Sequence, residues 1–135
     1  MAKRVAFVCI ENAGRSQMAA AFARRRGPSG VEILCGGTRP AGRVHPVVVA
    51  VMKEVGIDLS GEEPRSITPA EILASDVVVT MGCASGDVCP ATFRGDAVDW
   101  ALPDPAGKPI EEVRRIRDEI DRKVDALMEE LTHGR

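Results

Sequence analysis

The chain has 135 residues, 44% of them hydrophobic and 28% charged. That is ordinary globular composition, which excludes a disordered, collagen-like or coiled-coil chain, and the length suffices for one domain with a core of its own. Aromatic residues are only 3%, with no Tyr and one Trp, and the formal net charge is −2, so there is neither a stacking platform for single-stranded nucleic acid nor a field that recruits DNA or an anionic membrane.

The pattern alternates strand and helix. Arg4–Cys9 is a short apolar run that reads as a buried strand. Arg15–Arg26 is rich in good helix formers and ends at Gly27-Pro28, with Gly27 as the C-cap and three arginines at the negative end of the dipole. Val31–Cys35 reads as a second strand. Pro46 opens a helix ending near Gly56, its apolar residues at helical spacing. Thr68-Pro69-Ala70-Glu71 fits an N-cap, a Pro at N1 and a capping-box Glu, starting a short helix to about Ala74. Asp76–Met81 holds the strongest buried strand, and Ala97–Leu102 reads as a fourth. Pro109 opens a last helix, Ile110–Leu131, with an apolar stripe and an otherwise charged surface.

This order predicts an α/β fold: a parallel sheet of four strands with helices on both faces, spanning 1–135 as a single domain. Ligands in such sheets bind beyond the carboxyl ends of the strands, so the chemistry is expected just after Val8, Leu34 and Met81. No apolar stretch is long enough to span a membrane, and no signal-peptide pattern opens the chain. A cytoplasmic setting is the expectation, and there four cysteines are not a structural disulfide framework.

Directly after the first strand stands Cys9-Ile10-Glu11-Asn12-Ala13-Gly14-Arg15-Ser16. Five residues between a strand-end Cys and a helix-opening Arg make a tight loop. Its backbone N–H groups and the helix dipole form a nest for a tetrahedral oxyanion. Arg15 can clamp two of the oxygens, and the positive surroundings favour Cys9 as a thiolate nucleophile. Gly14 is expected to supply a positive φ. Asn12 can tie the loop through its amide, and Ser16 can donate to the Cys9 sulfur.

This constellation resembles the low-molecular-weight protein tyrosine phosphatase superfamily, in the loop pattern Cys-x-x-Asn-x-x-Arg-Ser carried by Cys9, Asn12, Arg15 and Ser16. The resemblance covers nearly the whole chain. It extends to the stretch from His45 to Gly61, and to Asp104-Pro105, which looks like that superfamily's general-acid loop. It implies a three-layer fold of the phosphotyrosine phosphatase I type.

Cys83 and Cys89 follow the third strand, and the sheet argument puts them at the same edge as Cys9. With Cys89-Pro90, Trp100 and the Asp104–Gly107 segment they resemble the thioredoxin-coupled arsenate reductases, a branch of the same superfamily. The resemblance implies that arsenate, or phosphate, sits on Ile10, Glu11, Asn12, Ala13, Gly14, Arg15 and Ser16. Cys9 attacks arsenic, Asp104 protonates the departing oxygen, and the disulfide passes from Cys9–Cys83 to Cys83–Cys89, where thioredoxin reduces it. Gly82 and Gly86 supply backbone freedom for that exchange. It implies no prosthetic cofactor, no metal, and a monomer. The two later cysteines are separated by five residues where relatives have six. Where many relatives carry a Glu in the first helix that helps bind a monovalent cation, this chain reads Met18-Ala19-Ala20-Ala21.

Plainer readings stand beside these. Cys35 reads as a buried strand residue, His45 as the start of a helix, and Asp104 alone as an Asp-Pro turn. Cys83 and Cys89 could be inert core cysteines; as a zinc half-site their spacing is too wide. Three functions remain: arsenate reductase, a phosphatase acting on phosphate monoesters through Cys9, Arg15 and Asp104, and an oxyanion-binding or redox-sensing partner without catalysis.

Overall fold

The computed structural model describes residues 3–27, 29–82 and 88–133. Its elements run β1 (Lys3–Cys9), α1 (Arg15–Arg26), β2 (Val31–Gly37), α2 (Pro46–Lys53), α3 (Pro69–Leu73), β3 (Val77–Thr80), β4 (Asp96–Asp99) and α4 (Ile110–His133). The four strands form one sheet in the order β2-β1-β3-β4, every pair parallel. The expected α/β architecture is therefore observed, with β1 and β3 at the centre.

Alternation along β1 sorts the sheet into two faces. Val5, Phe7 and Cys9 join Val77 and Val79 in the larger core, under α1, α2 and α4. Ala6 and Val8 join Val78 and Ile72 of α3 in a smaller one, with Val88, Cys89 and Phe93 packed against it. Helices thus cover both faces. Trp100 closes the larger core 5.9 Å from the Phe7 ring.

Local chemistry sets the boundaries. Gly27 takes the left-handed conformation at φ 55° and donates back to Arg24 O, ending α1. At α3 the Thr68 and Glu71 side chains each bond the other's backbone N–H, the reciprocal capping box that the sequence indicates. Desolvation pushes the Glu71 carboxyl up, but the Thr68 N–H and the Arg65 guanidinium together hold it below its usual range. Arg117 of α4 is buried and donates to Val51 O at 2.9 Å and Glu54 Oε1 at 2.8 Å, which pins α4 to α2.

Two expectations are corrected in detail. The fourth strand is Asp96–Asp99 rather than Ala97–Leu102. The apolar residues Trp100 and Leu102 are buried as the chain leaves the sheet, so they mimicked a longer strand. α2 ends at Lys53, three residues before Gly56, because Val55, Gly56 and Ile57 close it with turn bonds to Met52 and Lys53.

Candidate active site

The segment from Cys9 to Arg15 turns sharply from β1 into α1, and its backbone is held from outside. Thr38 N–H donates to Cys9 O (3.2 Å), Arg39 N–H to Ile10 O (2.7 Å), Ala41 N–H to Glu11 O (2.9 Å) and His45 N–H to Ala13 O (2.9 Å). The Gln17 side-chain amide donates to Asn12 O at 3.1 Å. In a planar trans peptide the next N–H points opposite to the carbonyl. Five outward carbonyls therefore turn the N–H groups of residues 10–14 inward. One of them is seen at work: Asn12 N–H reaches the Cys9 Sγ at 3.2 Å. Inward N–H groups of this kind can receive an anion, and they surround the Cys9 sulfur.

Close packing makes this possible. Gly37 lies opposite Cys9 at the end of β2, and a Cβ there would strike Ile10 O and stand 2.9 Å from Asn12 N. Only hydrogen fits. The positive φ expected at Gly14 falls instead on Asn12, at 52°, while Gly14 has φ −143°. Asn tolerates the left-handed region better than most residues. Here its side chain is fully buried and bonded throughout. Nδ2 donates to Ser16 Oγ (2.7 Å), and Oδ1 accepts from Gln17 Nε2 (3.1 Å) and from Arg65 N–H (3.0 Å). The glycine at position 14 serves space rather than φ, since a Cβ there would come 2.9 Å from Pro105 Cγ.

Cys9 is 3% exposed, and its Sγ lies 2.9 Å from Ser16 Oγ. Asn12 N–H and Ser16 Oγ both lie against it, with the N-terminus of α1 beneath. Arg15 is buried, donating through Nη1 to Leu102 O at 2.8 Å. Gly82, at φ 84°, makes room for its guanidinium, since a Cβ would come 2.7 Å from Nη1. Asp104 is half-exposed, with Oδ2 3.9 Å from Arg15 Nη2 and Oδ1 accepting from Ala106 N–H at 3.0 Å. Cys9, Ile10, Glu11, Ala13, Gly14, Arg15 and Asp104 line one cleft of about 350 Å³ with Arg39, Pro40, Ala41 and His45. Asn12 and Ser16 sit behind it.

Of the later cysteines, Cys83 lies outside the described residues, as does Gly86. Cys89 is half-buried against the smaller core, and burial, then the Asp99 carboxylate, push its thiol up. Thr80 Oγ1 donates to Asp99 Oδ1, which fixes that carboxylate at the end of β4. Cys35 is buried in β2, as its strand reading expects. Gln17, Arg39 and Arg65 were not singled out from the sequence. Nothing in their spacing along the chain marks them, since the burial of Gln17 emerges only in the fold.

The sequence profile of the low molecular weight phosphotyrosine protein phosphatases matches residues 4–135. Among relatives that carry an arsenate reductase name, one from Halobacterium salinarum is 48% identical over 130 residues, covering 93% of this chain and 90% of its own. A glutaredoxin arsenate reductase of Synechocystis is 35% identical over 132 residues, covering 96% of this chain and 99% of its own. Among solved structures, the Corynebacterium glutamicum thioredoxin-dependent arsenate reductase superposes with a TM-score of 0.83 at 35% identity; 99% of this chain is covered, and it spans 64% of that one. Sequence profile, overall superposition and the Cys9–Ser16 loop agree: the chain belongs to the low molecular weight phosphotyrosine protein phosphatase family.

Proposed function

We propose that this chain is an arsenate reductase that carries its electrons on cysteines and needs no prosthetic group. One observation bears most on the choice within the family. A second thiol, Cys89, stands by the carboxyl edge of the sheet that carries Cys9, near the clasp between Thr80 and Asp99. Hydrolysis has no use for it, whereas reduction of As(V) to As(III) takes two electrons that a thiol pair supplies.

The Cys9 thiolate attacks arsenic and displaces an oxygen, which Asp104 protonates so that it leaves as water. The loop N–H groups and Arg15 carry the charge of the remaining oxygens. The Cys83 thiolate then attacks Cys9 Sγ. The electron pair of the S–As bond stays on arsenic, arsenite departs and Cys9–Cys83 is left oxidised. The Cys89 thiolate attacks Cys83, which frees Cys9 and leaves a Cys83–Cys89 disulfide for thioredoxin. Burial and then the Asp99 carboxylate favour the neutral Cys89 thiol, in keeping with its entering last. The protein acts as a cytoplasmic monomer, and no helix among the described residues is long and apolar enough to cross a membrane.

The deciding experiment is steady-state turnover of arsenate with thioredoxin, thioredoxin reductase and NADPH. Sustained NADPH oxidation that depends on arsenate is expected. Hydrolysis of an aryl phosphate without arsenate turnover would favour the second reading, a phosphatase, for which Cys9, Arg15 and Asp104 in one cleft already suffice.

A further inference from the structure

A carboxylate lines the cleft that is to receive an oxyanion. Glu11 sits within the loop, half-exposed, its carbonyl fixed by Ala41 N–H and its own N–H turned inward. A free anionic side chain there opposes the ligand by like-charge repulsion and can itself reach for the nest. The other carboxylate of the cleft, Asp104, is tethered by Ala106 N–H and Arg15. Glu11 has a different partner: His45 Nε2 stands 3.3 Å from its Oε1.

His45 is aimed there by its backbone. Pro46 restricts the preceding residue to an extended conformation, observed as φ −59°, ψ 131°. The His45 N–H is spent on Ala13 O, and its carbonyl accepts from Val48 and Val49 to open α2. Val44 is buried on one side. The ring therefore lies across Gly14, where a Cβ would come 3.6 Å from His45 Cδ2. The residue that reads as a plain helix start is also the side of the cleft facing Glu11.

We propose that His45 is a positioning residue that holds the Glu11 carboxylate off the oxyanion nest, and so sets the affinity of this site for small inorganic oxyanions. It acts through Glu11 and not on the ligand, and it rests on the reading of the loop as an oxyanion cradle.

Protection of Cys9 from iodoacetamide by inorganic phosphate, read by mass spectrometry of the Cys9 peptide, reports oxyanion affinity without any turnover. His45→Ala is expected to raise the half-protecting phosphate concentration by roughly three- to tenfold, the range of a half-screened charge interaction. In a Glu11→Gln background the same change has no effect. His45→Gln keeps an N–H for Glu11 and stays within about twofold of wild type, which separates the clasp from a general loss of packing. For arsenate turnover, KM rises in His45→Ala while kcat holds.

Equal weakening by His45→Ala in both backgrounds would overturn the proposal, since His45 would then act on the ligand or build the loop. So would an unchanged half-protecting concentration with Glu11 present. Should phosphate fail to protect Cys9 in the wild-type protein, the cradle itself is wrong and the clasp falls with it. Failure of arsenate turnover alone leaves the phosphate measurement decisive.

Discussion

Residues 9–16 and residues 88–99 adjoin the same edge of one sheet, and they treat their cysteines in opposite ways. Around Cys9 every loop carbonyl is bonded from outside, and Asn12 N–H and the Ser16 hydroxyl converge on the sulfur. Around Cys89 there is a partial apolar cover and a carboxylate, Asp99, both of which favour the neutral thiol. β4 itself is mostly exposed. In the proposed relay one thiol is the nucleophile of the resting protein, and the other is held back. Thiol reactivity follows the donors and charges around the sulfur, so the order of a relay can be built into surroundings.

The largest effect expected is from Cys9→Ser, which removes the prepared nucleophile. Arsenate reduction and aryl phosphate hydrolysis should both fall by at least about 10³-fold, since covalent catalysis is lost in each. Activity surviving in either assay would break the comparison at its first term. Cys89→Ser should separate the two regions. Multiple turnover of arsenate with thioredoxin stops, while aryl phosphate hydrolysis stays within about threefold of wild type, because water resolves that adduct. If the variant reduced arsenate at the wild-type rate, a thiol from solution would be the better account.

Gly37→Ala tests whether the preparation of Cys9 is geometric. The added methyl meets Ile10 O and Asn12 N, both backbone, so the loop must move. A displacement of that order costs about 10²-fold in kcat/KM and about 1–3 kcal/mol of stability. Phosphate protection of Cys9 should weaken while alkylation of Cys89 is unchanged. A melt and a pair of alkylation time courses decide it.

The smallest effect is from Asp99→Asn. With burial and then Asp99 raising the Cys89 thiol, the neutral form is favoured in the folded protein. That contribution to stability is full below the ordinary thiol range, and it is lost as pH climbs through the raised value. The variant should bring the onset of Cys89 alkylation to lower pH and leave Cys9 where it was. An onset that does not move would remove Asp99 from the account.

The sequence carried the frame because its signals are local. The capping box at Thr68 and Glu71, Gly27 after three arginines, and the apolar runs of β1 and β3 each act within a few residues. The Cys9–Ser16 loop was legible for the same reason, being one short segment with a fixed pattern. What it rests on was not. Gly37, Arg39 and Arg65 reach the loop from other parts of the chain, and Gly82, named for its backbone freedom, serves to make room for Arg15. Each matters through a contact, such as Arg65 N–H on Asn12 Oδ1, that no spacing along the chain encodes. The mistake over Gly14 is of this kind. The fold needs glycine there for its missing Cβ beneath Pro105 rather than for freedom of φ, and Asn12 carries the left-handed turn with five polar contacts to hold it there.

The outward carbonyls have a consequence for how such a site can change over time. Four of the five are held by backbone amides of residues 38–45, and the fifth by Gln17. The mould of the loop is thus written mostly in main chain, outside the loop, and takes no instruction from the exposed side chains of Ile10 and Glu11. Those two positions can be rewritten without recasting the mould, whereas Ala13 is fully buried and has no room to grow. A lineage, or an engineer, can alter the chemistry of the rim one residue at a time while the cradle beneath keeps its shape.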